Sequence, residues 1–316
     1  MSLADTEFVR LPGLDTRISI AARPRRAARH GLVLVGPSRR STLAAVRAFD
    51  LAIATCGTAF FARRARGEAL PVADDVWDPV LAAIERDHGP MIVAGTYRRI
   101  QASRSGGAVL LCDPAGRHRF VKLQQEPGTI EREHATLVAL DAVGTRPNSR
   151  WRAPAALGHG TANGWSWLMT EGLSHPLHRP AYDFDFAAFG DDLDRALAPS
   201  LGAPPEPDWR VAHGDLAPWN VRRCGGSTVV LDWETVGWAP PRADEVYFAA
   251  CAATLRSRTG VPDDALGGST AAAVDWWLAK IAARDPTDTD APFNQALTEA
   301  LTTLRNPRLT SPNRSP

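Results

Sequence analysis

Two adjacent glycines, Gly225 and Gly226, constrain the fold of this chain more than any other feature. They sit in Cys224-Gly225-Gly226-Ser227 between two short apolar runs, Val221–Arg223 and Thr228–Leu231. A glycine pair in so short a loop between such runs is a β-hairpin signal. A hairpin returns the chain to where it began. Asp232, just past the second strand, is therefore expected beside Asn220, just before the first. Asp215 precedes both in the irregular loop His213-Gly214-Asp215-Leu216-Ala217-Pro218-Trp219-Asn220. The pattern predicts two carboxylates and one amide oxygen at a single spot.

That set suits phosphoryl transfer. Mg²⁺ takes oxygen ligands and keeps several waters, so one carboxylate and one amide suffice from the protein. Asn220 and Asp232 are the expected metal ligands at the phosphates of ATP. Asp215 is the expected base, orienting an acceptor hydroxyl and taking its proton. Alone, each of these residues would read as part of a solvated turn; the spacing joins them. Glu234, two positions beyond Asp232, either adds a supporting carboxylate or faces water.

Upstream, Ala108–Cys112 and Arg117–Leu123 read as strands joined by Asp113-Pro114-Ala115-Gly116, a type I turn by its proline and glycine positions. A helix over 130–143 stops at Gly144, and Trp165–Thr170 reads as a further strand. Lys122 shares a strand face with Phe120, and Glu133 shares a helix face with Leu137 and Leu140. Each charge needs a partner if its face is buried, and pairing the two satisfies both. Ser103-Arg104-Ser105-Gly106-Gly107 is either a loop over the phosphates, with Ser105 and Gly106 at its centre, or a plain turn. Residues 1–90 read as a separate α/β module with a strand at Gly31–Gly36 and a helix at Ser41–Phe49. The turn between them lacks phosphate-loop spacing. Helices are expected over 183–197, 244–256, 271–284 and 294–305, and residues 306–316 read as a disordered tail.

HGDLAPWN over 213–220 and VVLDWE over 229–234 resemble the aminoglycoside phosphotransferase and choline kinase-like family, over about residues 91–284. The resemblance implies an α+β, bilobal, protein-kinase-like fold, with a small antiparallel-sheet N-lobe at 91–172 and a mostly helical C-lobe at 173–305. It implies ATP and Mg²⁺, a lysine–glutamate pair at Lys122 and Glu133, and a hinge at 169–173 whose Thr170 and Gly172 meet the adenine. It makes His213 a structural member of its loop and Asp244 a support for that loop, although Glu245 stands where the family more often has leucine. The implied acceptor is a hydroxyl of a small molecule such as a sugar, an amino alcohol or a natural product. The stretch from the hinge to His213 is shorter than antibiotic kinases of the family carry, which argues against a bulky aminoglycoside. An acidic run, Asp183 to Asp194, either draws a cationic substrate or is a solvated helix face. Trp165, Trp167, Trp219, Trp233 and Trp238 either cage an amine or belong to the core. The rival reading is a nucleotide-binding pseudokinase acting on a protein partner through residues 1–90. A protein kinase fits less well, since the loop reads HGD and no long segment separates Asp232 from Asp244.

Composition excludes more than it assigns. A net charge of +1 gives no field to gather nucleic acid or an anionic membrane. Cys56, Cys112, Cys224 and Cys251 form no CxxC pair, so spacing supports neither a metal site nor a disulfide. No signal peptide or membrane span is evident, and the expected compartment is the cytoplasm.

Overall fold

The computed structural model describes residues 6–37, 39–59, 63–64, 72–98, 106–126, 128–142, 150–174, 177–255, 270–284 and 291–305. Ser105 and the expected tail at 306–316 lie outside them. The chain opens with strands β1 (Phe8–Arg10) and β2 (Ile18–Ala21), helix α1 (Arg25–Gly31), a 3₁₀ turn (Leu32–Val35), helix α2 (Arg40–Cys56), strand β3 (Arg63–Arg64) and helix α3 (Asp74–His88). Strands β4 (Ile92–Arg98), β5 (Gly106–Cys112) and β6 (His118–Gln124) follow, then helix α4 (Thr129–Ala142) and strands β7 (Trp151–Arg152), β8 (Ala156–Ala162) and β9 (Trp165–Glu171). The remainder holds β10 (Arg179–Pro180), α5 (Phe186–Leu201), β11 (Arg210–Ala212), β12 (Val221–Cys224), β13 (Ser227–Val230), β14 (Gly237–Ala239), α6 (Ala243–Leu255), α7 (Ala271–Ala282) and α8 (Ala291–Arg305).

An eight-stranded antiparallel sheet in the order β3-β1-β2-β4-β5-β6-β9-β8 carries the first half of the chain. Period-two alternation explains its two faces. Val109, Leu111, Val121 and Leu123 point one way and pack with Trp77 of α3. Leu110 and Cys112 point the other way and meet Val33 and Val229. The expected turn at Asp113–Gly116 closes β5 and β6, with Gly116 N–H donating to the Asp113 carbonyl at 2.9 Å. Residues 1–90 contribute β1, β2 and β3 to this sheet, β2 pairing with β4 in the register Ile18↔Tyr97. Helix α1 lies against β4 so closely that a Cβ on Gly31 would meet the Ala94 carbonyl oxygen at 2.4 Å.

The apolar run at 31–36 is not the strand that its composition suggested. It is the end of α1 followed by the 3₁₀ turn, stopped at Gly36 in the left-handed region (φ 53°). A short apolar run carries no period that separates strand from helix, and here helical packing on β2 and β4 buries it.

The second half is mostly helical. α6, α7 and α8 share one core, in which the Trp277 indole N–H donates to the Ala243 carbonyl and the ring stacks on Tyr247 at 3.9 Å. β12 and β13 form the expected hairpin, in the register Val221↔Val230 to Cys224↔Ser227, within a small sheet β10-β12-β13-β7. Gly225 and Gly226 have φ of 59° and 90°, as a two-residue turn of this hand requires. Among the described residues, no helix is long and apolar enough to cross a membrane.

Candidate active site

The hairpin brings its two ends together. Leu231 N–H donates to the Asn220 carbonyl at 2.8 Å, which fixes Asp232 next to the Asn220 end of the loop. The Asn220 side-chain amide donates to both the Asp215 carbonyl (2.8 Å) and the Asp215 carboxylate (3.0 Å). The Asn220 side chain thus contacts Asp215, and the charge of Asp232 acts on the same carboxyl.

Asp232 adopts φ of 67°, in the left-handed region. Aspartate tolerates that region better than most side chains, and strained backbone concentrates at functional sites. Lys122 reaches Asp232 from β6, across the sequence, at 2.5 Å. Its ammonium also lies 2.7 Å from Glu133 on α4 and 3.0 Å from Glu234. The expected Lys122–Glu133 pair is present, and Glu234 faces this cluster rather than water, with Gln124 donating to the same carboxylate oxygen. Glu133 also accepts from the Trp233 backbone N–H at 3.2 Å, which anchors the segment after β13 to α4. Burial pushes the Glu133 carboxyl up, and Lys122 opposes it.

The loop carrying Asp215 is held from beneath. Asp244, at the start of α6, accepts from the backbone N–H groups of His213 (2.7 Å) and Gly214 (3.0 Å). His213 is fully buried, and burial lowers its pKa to about 4, so the ring is neutral at pH 7. Its Nε2 faces the Leu231 carbonyl at 3.0 Å and its Nδ1 accepts from the Asp215 N–H at 3.3 Å, a pairing that assigns the proton to Nε2. Thr235 closes the frame by donating to the His213 carbonyl. Burial first, and the Asp232 charge second, push the Asp215 carboxyl up to about 7, against a hydrogen bond from Tyr247 and the charge of Arg284. Tyr247 and Arg284 carried no sequence signal, since each is one residue on or after a helix with no motif around it.

Other expected residues are less closely drawn in. Gly106 begins β5 opposite Gln124. Thr170 lies in β9 opposite Phe120, and Gly172 N–H donates to the His118 carbonyl at 3.0 Å. Trp167 and Trp233 are buried in hydrophobic cores, so the cage reading does not apply to them. The acidic run is largely spoken for: Asp185 caps α5, Asp183 pairs with Arg223, Asp192 with Arg195, and Asp191 and Asp194 with Arg210.

All the anionic donors here are oxygens, and Glu133, Asp232 and Glu234 offer ligand atoms within 4.8 Å of one another around a single ammonium. Three carboxylates against one lysine leave excess negative charge. A hard, oxygen-seeking cation fits that surplus. A cavity of about 300 Å³ opens alongside, lined by Arg132 and Thr136 of α4, the segment Trp233–Val236, and Lys280 of α7.

A model of the phosphotransferase enzyme family (APH) matches residues 115–277, just over half the chain, and spans Lys122, Glu133 and the whole hairpin loop. The chain belongs to the phosphotransferase enzyme family. No curated protein sequence matches it. Among solved structures, this phosphotransferase is similar to a putative fructosamine-3-kinase from Haemophilus somnus 129PT, with 12% identity, a TM-score of 0.40, and coverage of 72% of this chain and 98% of that one. It is also similar to the macrolide 2′-phosphotransferase MphH from Brachybacterium faecium, with 15% identity, a TM-score of 0.36, and coverage of 73% and 98%.

Proposed function

We propose that this phosphotransferase moves the γ-phosphoryl group of ATP to a hydroxyl of a small molecule, within a bilobal, protein-kinase-like arrangement. The observation that carries the reading is the convergence of Asp215, Asn220, Asp232 and Lys122 from three separate stretches of sequence. Asn220 and Asp232 would hold Mg²⁺, which when bound neutralises and orients the phosphates. Lys122, kept in place by Glu133, meets a phosphate oxygen. Asp215 orients the acceptor hydroxyl and takes its proton as the acceptor oxygen forms its bond to the γ-phosphorus and the bond to the β-phosphate oxygen breaks, releasing ADP. His213, Asp244 and Thr235 hold the Asp215 backbone, so the base needs no rearrangement at the moment of reaction. The cavity beside Glu234 and Lys280 has the volume of a small-molecule site.

The test offers purified protein ATP, Mg²⁺ and a library of sugars, amino alcohols and natural-product alcohols, and follows ADP release. Turnover should depend on an acceptor, and Asp215→Asn should lower it by about 10²–10⁴-fold, the usual worth of a general base. Nucleotide binding without Asp215-dependent turnover on any acceptor would overturn the reading in favour of a nucleotide-binding regulator.

A further inference from the structure

The turn end of the β5–β6 hairpin holds a second cluster of chemistry-bearing side chains. Cys112 and His118 are cross-strand partners, so their side chains leave the same face of the sheet. α1 lies over that face and lowers His30 onto it. His30 Nδ1 is 2.6 Å from His118 Nε2, with the rings edge to face at 4.7 Å. One ligand atom from each of His30, Cys112 and His118 lies within 4.8 Å of the other two. Cys112 and His118 are buried, and His30 is half-buried.

The tautomer of His118 is set from outside the cluster. Its Nδ1 lies 2.5 Å from the Leu173 carbonyl oxygen, which can only accept, so Nδ1 carries the hydrogen and the Nε2 lone pair points into the cluster. A backbone carbonyl holding the far nitrogen of a ring is the outer-shell arrangement that orients metal-ligating histidines. Two imidazole nitrogens and a thiol are the donor set of zinc rather than of magnesium or calcium. We propose that His30 Nδ1, Cys112 Sγ and His118 Nε2 form a zinc site with its fourth position open to water. Zinc–nitrogen bonds of about 2.0–2.1 Å require the two nitrogens to separate by only roughly 0.7 Å. Uptake releases the Cys112 thiol proton and shifts the His30 hydrogen from Nδ1 to Nε2, so one proton leaves per ion. Arg26 and Arg29 act on these groups with positive charge, and Asp50 and Asp113 with negative charge. The site ties α1, the β5–β6 turn and Leu173 together, and it shares no ligand with Lys122, Asp215, Asn220 or Asp232.

The experiment uses tag-free, full-length protein stripped with a chelator and dialysed against Zn²⁺ or Co²⁺. About one zinc per chain is expected by elemental analysis, with a thiolate-to-cobalt charge-transfer band in the Co²⁺ form and a raised thermal midpoint in the Zn²⁺ form. Cys112→Ser should abolish the charge-transfer band, and His30→Gln should weaken zinc by more than the roughly 10–100-fold that loss of an outer-shell partner costs. Cys56→Ser, at an exposed thiol, and Asp232→Asn, at the phosphate site, should both leave zinc stoichiometry unchanged. If Cys112→Ser does not fold, His30→Gln at a half-buried ring still decides the matter. A wild-type chain that takes up no zinc, or one whose zinc survives both Cys112→Ser and His30→Gln, would overturn the site.

Discussion

At the scale of single residues, the site is governed by charge in a place that water reaches poorly. Lys122 is 8% exposed and neutralises part of three carboxylates at once. Lys122→Met should therefore remove the proposed phosphate contact and also leave Glu133 buried beside two like charges. Removing one partner of a buried pair costs about 3–5 kcal/mol. The expected result is a large fall in the urea midpoint together with loss of turnover. A second change, Glu133→Gln, should recover part of the stability and none of the activity. Asp215 gives a pH signature. As the proposed base it would work ionised, so kcat/KM should rise with pH through about 7, the value to which burial and Asp232 push it. Stability should move the other way. The folded chain holds this proton more tightly than the unfolded chain, whose carboxyl titrates near 3.8. Between about pH 4 and pH 7 the folded state thus binds more protons, and stability contributed by the protonated group is lost as pH rises. Asp215→Asn removes that loss. Its Tm should exceed wild type by a few degrees near pH 8 and match it near pH 4, as thermal scans at the two pH values would reveal.

At the scale of elements, the β12–β13 hairpin is the device that assembles the site, and its turn is testable without touching a reacting group. Gly226 has φ of 90° with nothing near enough to clash with an added Cβ, and Gly225 has φ of 59°. Gly225→Ala with Gly226→Ala should cost about 1–2 kcal/mol per residue through backbone strain alone. Gly225→Asn, which restores an Asn-Gly turn, should be nearly neutral. Denaturant titrations of the variants measure both. The hairpin was legible in the sequence because glycine pairs carry a conformational requirement that few other residues meet. Lys122 and Glu133 were legible for a related reason: each sat on an otherwise apolar face, and a buried charge needs a partner. Another hairpin, β8–β9, carried an equally strong signal. Asn163 and Gly164 both have positive φ and join its strands. Its first strand carries only a weak signal, because Ala156–Ala162 is rich in glycine and small residues and has no run of branched side chains. Gly31–Val35 misled for the opposite reason, since an apolar run without period fits either element. The His30–Cys112–His118 cluster was invisible to spacing, because His30 lies far from the other two in sequence and only the packing of α1 brings it over.

At the scale of the whole molecule, one buried guanidinium joins the N-terminal segment to the loop that bears Asp215. Arg222 on β12 is fully buried, and every partner it has in the described residues is uncharged: His178 Nδ1, and the carbonyl oxygens of Pro37, His178 and Pro218. Burial lowers its pKa to about 10, which still leaves it charged at neutral pH. The tautomer of His178 follows from the same network. Arg222 donates to Nδ1, so Nε2 carries the ring hydrogen and donates to the Val33 carbonyl at 2.9 Å. Val33 and Pro37 belong to the first ninety residues, whereas Pro218 lies between Asp215 and Asn220, so the two regions share one set of hydrogen bonds through a single side chain. Arg222→Met fills similar volume but donates nothing, leaving a ring nitrogen and three carbonyl oxygens without this donor. Each buried polar group so stranded costs about 1–3 kcal/mol. The variant should lose several kcal/mol in urea unfolding. Because the Pro218 carbonyl is one of the groups released, kcat should also fall more than KM changes. Removing residues 1–37 takes away both N-terminal carbonyls, together with β1, β2 and α1, and exposes the edge of β4. An unpaired strand edge of this kind is an aggregation surface. A chain beginning at residue 38 should therefore be recovered aggregated or unfolded by circular dichroism and size exclusion. A well-folded, active product from that truncation would mean that the Arg222 network ties nothing the active loop depends on.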